Sequence, residues 1–331
     1  MALGQLVDGE WSNGWTERDE NGQFQRMATH FRNWVKADSA TPFMAEPDRY
    51  HLYISLGCPW AHRTAIVWQL KGLQQVIGLS IVDPVISEQG WRFSNYPGCI
   101  PDSNYDLDYL WQLYVKADPN YSGRVTVPVL WDKKTKTIVN NESRQIIQML
   151  NSEFNAWAVY PDADFYPEQL RNLIDQTLDA IYEPINNGVY KAGFASSQKA
   201  YEEAIFALFG ALDYWENVLG QSRYLCGNFI TLADWALFTT LFRFDLAYYG
   251  LFKCNLKQLT SYPNLWDYCR SLYQQPGVSA VCSIDHVKRI YYAGLLELNP
   301  SGIVPVGPSM DFLQPSDRAV RQVYQAELSA V

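Results

Sequence analysis

No run of apolar residues in this 331-residue chain approaches the ~20 needed to cross a bilayer. The opening Met1-Ala-Leu-Gly-Gln-Leu-Val-Asp-Gly-Glu10 lacks the basic start and apolar centre of a secretory leader. Positive charge is scarce. Twenty-six Lys and Arg against 35 Asp and Glu leave a net charge of -9, which argues against nucleic acid or an anionic membrane as partner, since both require a basic footprint. The six cysteines (58, 99, 226, 254, 269 and 282) form no C-x-x-C pair and show no zinc-type Cys/His spacing. Free thiols in a reducing cytoplasm, without a metal site, are therefore expected. Repeats and low-complexity tracts are also missing. Aromatic residues are plentiful, with 12 Trp and 22 Tyr, a supply that suits large cores and interfaces as well as surfaces for planar ligands.

The most informative stretch runs from Tyr50 to Arg63. An apolar strand, Tyr50 to Ser55, passes through Gly57 to Cys58, with Pro59 directly behind it. Proline suits the first turn of a helix, where its missing N–H costs nothing. Apolar residues at Ala61, Ala65, Val67, Trp68 and Leu70 continue that helix. Cys58 thus falls at a helix N-terminus, where free N–H groups and the helix dipole favour a thiolate. Cys226, Cys254, Cys269 and Cys282 stand among apolar neighbours and read as small buried hydrophobes, and Cys99 reads as a loop residue.

Residues 1–48 lack periodicity and read as an irregular extension packed down through Phe31 and Trp34. From 49 to 155 the order is strand, Cys-Pro helix and a second strand near Val76 to Val82. A loop-rich stretch from Asp83 to Gly123 follows, then a hairpin (Val127 to Asp132, Thr137 to Asn140) and a helix opened by Glu142-Ser143. This β-α-β…β-β-α order is that of a thioredoxin-like α/β sheet. Past a Pro/Asp-rich linker, residues 165–295 carry helical patterns over Gln169 to Ile181, Gln198 to Leu219, Leu232 to Tyr248, Asn264 to Gln274 and Ser283 to Leu295. Thr231-Leu-Ala-Asp234 is a capping box for the third of these. Residues 296–331, with Pro300, Pro305 and Pro308, read as an extended tail with a short closing helix.

Proline within a β run cannot donate to the ladder, so Pro128 marks an edge or a bend. In thioredoxin-like domains a cis-proline occupies this place and faces the active cysteine, while the residue before it pairs with the backbone of a bound peptide. At Glu142-Ser143, a serine hydroxyl and helix N-terminal N–H groups would hold a carboxylate, and the glutamate would hold an ammonium. The γ-glutamyl end of glutathione carries that pair of charges.

With these motifs in place, the chain resembles the cytosolic glutathione transferases, and within them the glutathionyl-hydroquinone reductases (the Xi class). The resemblance rests on Ser55-Leu-Gly-Cys-Pro-Trp-Ala-His-Arg63, Gly123-Arg-Val-Thr-Val-Pro-Val-Leu-Trp-Asp132, Ile138-Val-Asn-Asn-Glu-Ser143 and Asn186-Asn-Gly-Val-Tyr-Lys-Ala-Gly-Phe-Ala195. Arg243-Phe-Asp245, Tyr248, Phe252-Lys-Cys-Asn255, His286-Val-Lys-Arg-Ile-Tyr-Tyr292 and Asn299 to Pro308 extend it, so that it spans about Phe31 to Pro308.

The resemblance implies a glutathione-binding thioredoxin-like domain, an all-helical substrate domain and a homodimer. It makes Cys58 the group that attacks the glutathione sulfur of a glutathionyl-hydroquinone, frees the hydroquinone and waits as a mixed disulfide for a second glutathione. Ala61 stands three residues after Cys58, so the site is monothiol. Tyr190 matches the family's proton-transfer tyrosine. Tyr248 and Tyr291 match two tyrosines that bind substrate and help to lower the cysteine's pKa. Trp91, Arg124, Val125, Thr126, Val127, Glu142 and Ser143 are implied to hold glutathione. Arg63 reads as structural, and the helical position of His62 turns its ring away from a dyad with Cys58. Two other activities share part of this pattern: an omega-like thiol transferase or dehydroascorbate reductase, and a non-catalytic glutathione-transferase-like interaction module.

Overall fold

The structure, a computed structural model, describes residues 4–13 and 18–318. Near the start of the chain, β1 (Gln5–Val7) and β2 (Glu10–Ser12) pair antiparallel. The turn between them uses Asp8 and Gly9 at φ 49° and 80°, the Asp-Gly geometry that matches strand twist in a tight hairpin. Then follow β3 (Tyr50–Ile54), α1 (Pro59–Leu70), β4 (Ile77–Ile81), α2 (Leu110–Ala117), β5 (Gly123–Arg124), β6 (Val129–Asp132), β7 (Thr137–Asn140) and α3 (Ser143–Ser152).

The main sheet has the order β4-β3-β6-β7. β3 runs parallel to β4 and antiparallel to β6, and β6 pairs antiparallel with β7. This is the thioredoxin-like arrangement. β3 is buried at all five positions because it lies inside the sheet with helices packed over it, and it therefore reads as a continuous apolar run rather than an alternating one. α1 packs against α3 and also against the helical half, which explains why its buried residues circle the whole helix.

The helical half comprises α4 (Arg171–Ile181), α5 (Gly188–Gly193), α6 (Gln198–Gln221), α7 (Leu232–Leu241), α8 (Pro263–Tyr273) and α9 (Ile284–Tyr292). α7 is buried throughout. Its capping box is formed: the buried Asp234 carboxylate accepts from the Thr231 N–H at 2.7 Å, the Leu225 N–H at 2.9 Å and the Tyr268 hydroxyl at 2.8 Å. α1 packs on α7, joining the two halves. No helix among the described residues is long and apolar enough to cross a membrane.

Four sequence expectations change. The extension is not wholly irregular, since β1 also pairs with β5 to make a second, three-stranded sheet. The supposed loop between Asp83 and Gly123 contains α2, whose start is tied by the Gln112 side chain accepting the Asp108 and Tyr109 N–H groups. The helix expected over Leu232 to Tyr248 ends at Leu241 and is followed by a separate π-turn, Phe244–Tyr248. Cys282 is only half-buried, whereas Cys226, Cys254 and Cys269 are buried. The closing helix expected in the tail falls largely outside the described residues.

Candidate active site

Cys58 is the N-cap of α1, in extended backbone at φ -83° and ψ 124°. Its side chain is 8% exposed, and its Sγ lies 3.8 Å from the Val127 carbonyl oxygen. Pro59 has no N–H, so the first free helix donors come from Trp60 and Ala61. Burial pushes the Cys58 thiol up. The leading influences against it are the Ala61 N–H, the Arg243 charge, the Trp60 N–H and the Arg26 charge, all outside the expected tyrosine group.

Arg243 lies directly beneath this turn. Its guanidinium is fully buried, donating from Nε to Gly57 O at 2.9 Å, from Nη2 to Leu56 O at 2.8 Å and from Nη1 to Thr239 O at 2.7 Å. Nη1 also meets His62 Nδ1 at 3.1 Å. A guanidinium only donates, so His62 Nδ1 accepts and the ring proton sits on Nε2, facing Cys282 Sγ at 3.5 Å. Burial, with Arg243 adding to it, holds His62 well below its usual range, so the ring is neutral. It belongs to this buried cluster and not to Cys58. Arg63 is likewise buried, stacked over Trp60 at 4.8 Å. α9 closes over the same turn, because Gly57 has no side chain: a Cβ there would come within 2.6 Å of Ile290 Cγ2.

Cys58 opens into a cavity of about 680 Å³ walled by the carboxyl end of the sheet, the helical half and residues of the N-terminal segment. At one end stand Trp91, Arg124, Val125, Thr126, Val127, Glu142 and Ser143, which share the wall of this one cavity. The Val127–Pro128 peptide bond is cis. Thr126 is held by the buried Tyr114, whose hydroxyl donates to Thr126 O at 2.8 Å and accepts from the Thr126 N–H at 3.2 Å. Glu142 caps α3, accepting from the Arg144 N–H at 3.2 Å and from the Thr29 hydroxyl at 3.2 Å. Ser143 occupies the first turn of α3, where backbone N–H groups lack helix partners.

The other end is aromatic. The Tyr190 and Tyr291 hydroxyls lie 2.8 Å apart, and those of Tyr291 and Tyr248 are also 2.8 Å apart. Burial raises the pKa of all three phenols, so they are neutral and can relay a proton. Tyr190 and Tyr291 line the cavity. Tyr248, expected at the substrate, lies behind Tyr291 instead. It is fully buried on the Phe244–Tyr248 turn, with its ring stacked on Phe252 at 5.4 Å.

Sequence reasoning missed the contribution of the N-terminal segment. Phe24, Arg26, Met27, Thr29 and Arg32 all line the cavity. The Arg26 guanidinium sits 4.8 Å from the ring centres of both Trp60 and Tyr190. Only the aromatic-basic composition of that stretch hints at this, and composition alone could not place it. Among the described residues no group of His, Cys, Asp and Glu could hold a metal ion.

Set beside known proteins, residues 57–153 match the N-terminal domain of glutathione S-transferases and residues 198–271 their C-terminal domain. The chain is 48% identical to glutathionyl-hydroquinone reductase YqjG of Escherichia coli, over 96% of this chain and 99% of that protein. The glutathione-bound structure of YqjG superposes with a TM-score of 0.88 at 47% identity, covering 96% of this chain and 100% of that one. A Xi class transferase from Natrialba magadii gives a TM-score of 0.90 at 48% identity, covering 96% of each chain.

Proposed function

This chain belongs to the glutathione S-transferase family, and we propose that it is a glutathionyl-hydroquinone reductase working through Cys58. The observation that carries this reading is the opening of Cys58 Sγ, the Val127 backbone and the paired Tyr190 and Tyr291 hydroxyls on one cavity. A peptide thiol can be held at one end of that cavity, and a ring that must be protonated can be held at the other. Similarity to a protein named for this activity supports the same reading.

The glutathione moiety runs along Val125 to Val127, with its ammonium toward Glu142, one carboxylate at Ser143 and the α3 N-terminus, and the other at Arg124 under the Trp91 ring. Tyr190 delivers a proton to the ring carbon that bears sulfur, as a ring hydroxyl gives up its own to become a carbonyl. The Cys58 thiolate attacks the glutathione sulfur. A sulfur–sulfur bond forms and the sulfur–carbon bond breaks, and its electron pair passes through the ring to the carbonyl oxygen, which takes up a proton to complete the hydroquinone. A second glutathione then attacks the mixed disulfide, releasing oxidised glutathione and restoring the thiol. With Ala61 at the fourth position of the motif, no neighbouring thiol competes for the intermediate.

The domains divide the work: residues 49–155 hold glutathione, 165–295 hold the ring, and Phe24, Arg26, Met27, Thr29 and Arg32 of the extension complete the cavity wall. A cytoplasmic homodimer completes the proposal. The exposed Phe206 and Tyr214, two helical turns apart on α6, support a contact between copies. The deciding experiment measures turnover of several glutathionylated hydroquinones beside dehydroascorbate and a simple mixed disulfide. Hydroquinone release dependent on Cys58 is expected; release that persists in Cys58→Ala would sink the mechanism. Turnover of the small thiol substrates alone would favour an omega-like transferase.

A further inference from the structure

The charges on the cavity wall do not match those of the protein. The chain as a whole carries -9, yet among the described residues the wall holds one carboxylate, Glu142, and three guanidiniums, Arg26, Arg32 and Arg124. Glutathione joined through its sulfur has two carboxylates and one ammonium. Under the reading above, Glu142, Arg124 and the start of α3 answer those three charges. Arg32 lies at the same end, held by the Gln145 side-chain oxygen at 2.9 Å and the Thr29 hydroxyl at 3.2 Å. Arg26 is left over, and it stands at the aromatic end.

Its placement is specific. Arg26 Nε donates to the buried Asn187 side chain at 2.8 Å, and the guanidinium lies against the rings of Trp60, Tyr190 and Phe24 at 4.8, 4.8 and 5.2 Å. Those contacts leave the two terminal nitrogens without a hydrogen-bond partner among the described residues, and Arg26 makes no ion pair there. A half-buried cation loses hydration, and ring faces return only part of it. A site that keeps such a cation gains most when a negative charge appears beside it. Arg26 is also close enough to the reacting groups to lower both the Cys58 thiol and the Tyr190 phenol.

The reaction creates one such charge. As the sulfur–carbon bond breaks, its electron pair leaves the sulfur and settles on a ring oxygen as an enolate, before a proton completes the hydroquinone. We propose that Arg26 hydrogen-bonds this ring oxygen and stabilises its developing charge, with Asn187 setting the plane of the fork. A planar guanidinium with two free N–H edges suits an oxygen lying in the plane of a bound ring. This inference rests on the function proposed above.

The test compares wild type, Arg26→Gln and Arg26→Lys on glutathionylated hydroquinones whose rings range from electron-rich to chlorinated, beside the pH profile of Cys58 alkylation by iodoacetamide. Arg26→Gln is expected to lose about 100-fold in kcat/KM for hydroquinone release, the size seen for removal of an oxyanion donor. The loss should be larger on electron-rich rings, whose oxyanions are more basic, and smaller on chlorinated ones. Arg26→Lys should recover part of the rate. The alkylation midpoint should move by less than about half a pH unit, because a single half-exposed charge is well screened. A loss equal on all rings, a loss matched by the alkylation shift, or no loss would each overturn the proposal. If Arg26→Gln does not fold, the ring dependence of Arg26→Lys decides. Absence of hydroquinone release by wild type would instead refute the function itself.

Discussion

Arg243, from the helical half, donates its Nε–H to the carbonyl of Gly57 at 2.9 Å, one residue before the active cysteine. The same guanidinium holds Leu56 and Thr239, and it forms no ion pair among the described residues. It is therefore both the clamp on the cysteine turn and a standing positive charge beneath it. Arg243→Met leaves several buried acceptors without a donor, at a cost of about 1–3 kcal/mol for each. Urea unfolding should show a loss on the order of 3 kcal/mol or more. Removing the cation also removes a force that favours the thiolate, so Cys58 alkylation near neutral pH should slow.

Free Cys58 should behave as a buried thiol. Burial raises its pKa, so the reactive thiolate is a minority at pH 7 and grows as pH rises. The alkylation rate should climb through pH 8 to 9 without levelling off at the ordinary thiol value of about 8.5. The sign for stability is fixed by the same direction. The folded thiol keeps its proton above the unfolded value, so its contribution is full below about 8.5 and fades as pH rises toward the folded value. A plateau below pH 8 would contradict this picture.

The Tyr190 and Tyr291 hydroxyls should act as a pair. Each of Tyr190→Phe and Tyr291→Phe breaks their shared 2.8 Å bond, so their effects on kcat should not add. We expect losses of 10- to 100-fold for each, with a coupling of about 1 kcal/mol in the double-mutant cycle. Tyr248→Phe, behind the cavity wall, should act mainly on kcat through Tyr291 and leave KM near wild type. A KM effect as large as that of Tyr291→Phe would place Tyr248 at the substrate after all.

Gly193 offers a packing test. A Cβ there would overlap the Phe252 ring, which packs edge-on against Tyr190 at 5.5 Å and stacks on Tyr248 at 5.4 Å. Gly193→Ala should therefore cost about 1–3 kcal/mol through overpacking. It should also lower turnover by shifting Tyr190, a combination readable from thermal melting beside the release assay.

What the sequence made legible follows from the physics of each signal. β3, α1, β6, β7 and α3 carry strong periodicity, tight turns and a proline at a helix start, all local features. The Cys58, Pro128 and Glu142-Ser143 motifs lie at the starts of those elements, so the placement of that end of the cavity could be read in advance. Arg26, Thr29 and Phe24 lie in a segment whose side chains meet distant partners, Thr29 that of Glu142 and Arg26 that of Asn187, and no local pattern encodes a distant partner. α2 was missed because it spans only eight residues. Tyr248 was placed by its motif, but a motif cannot tell a ring on the wall from one behind it; the π-turn that carries Tyr248 decides that. The net direction of the Cys58 pKa was also beyond reach, since the helix N-terminus can be inferred from Pro59 but the depth of burial cannot.

The residues gathered at the cavity come from widely separated parts of the chain, Arg26 from the extension and Tyr291 from α9. Cys58 leaves the ribosome well before Arg243 or Tyr291 has been made. During synthesis it is an ordinary thiol, with neither the cation beneath it nor the phenols opposite it. Its surroundings are complete only once α9 packs over Gly57. A nascent or truncated chain therefore carries Cys58 as a more readily ionised thiol, which folding buries as it assembles the other reacting groups around it.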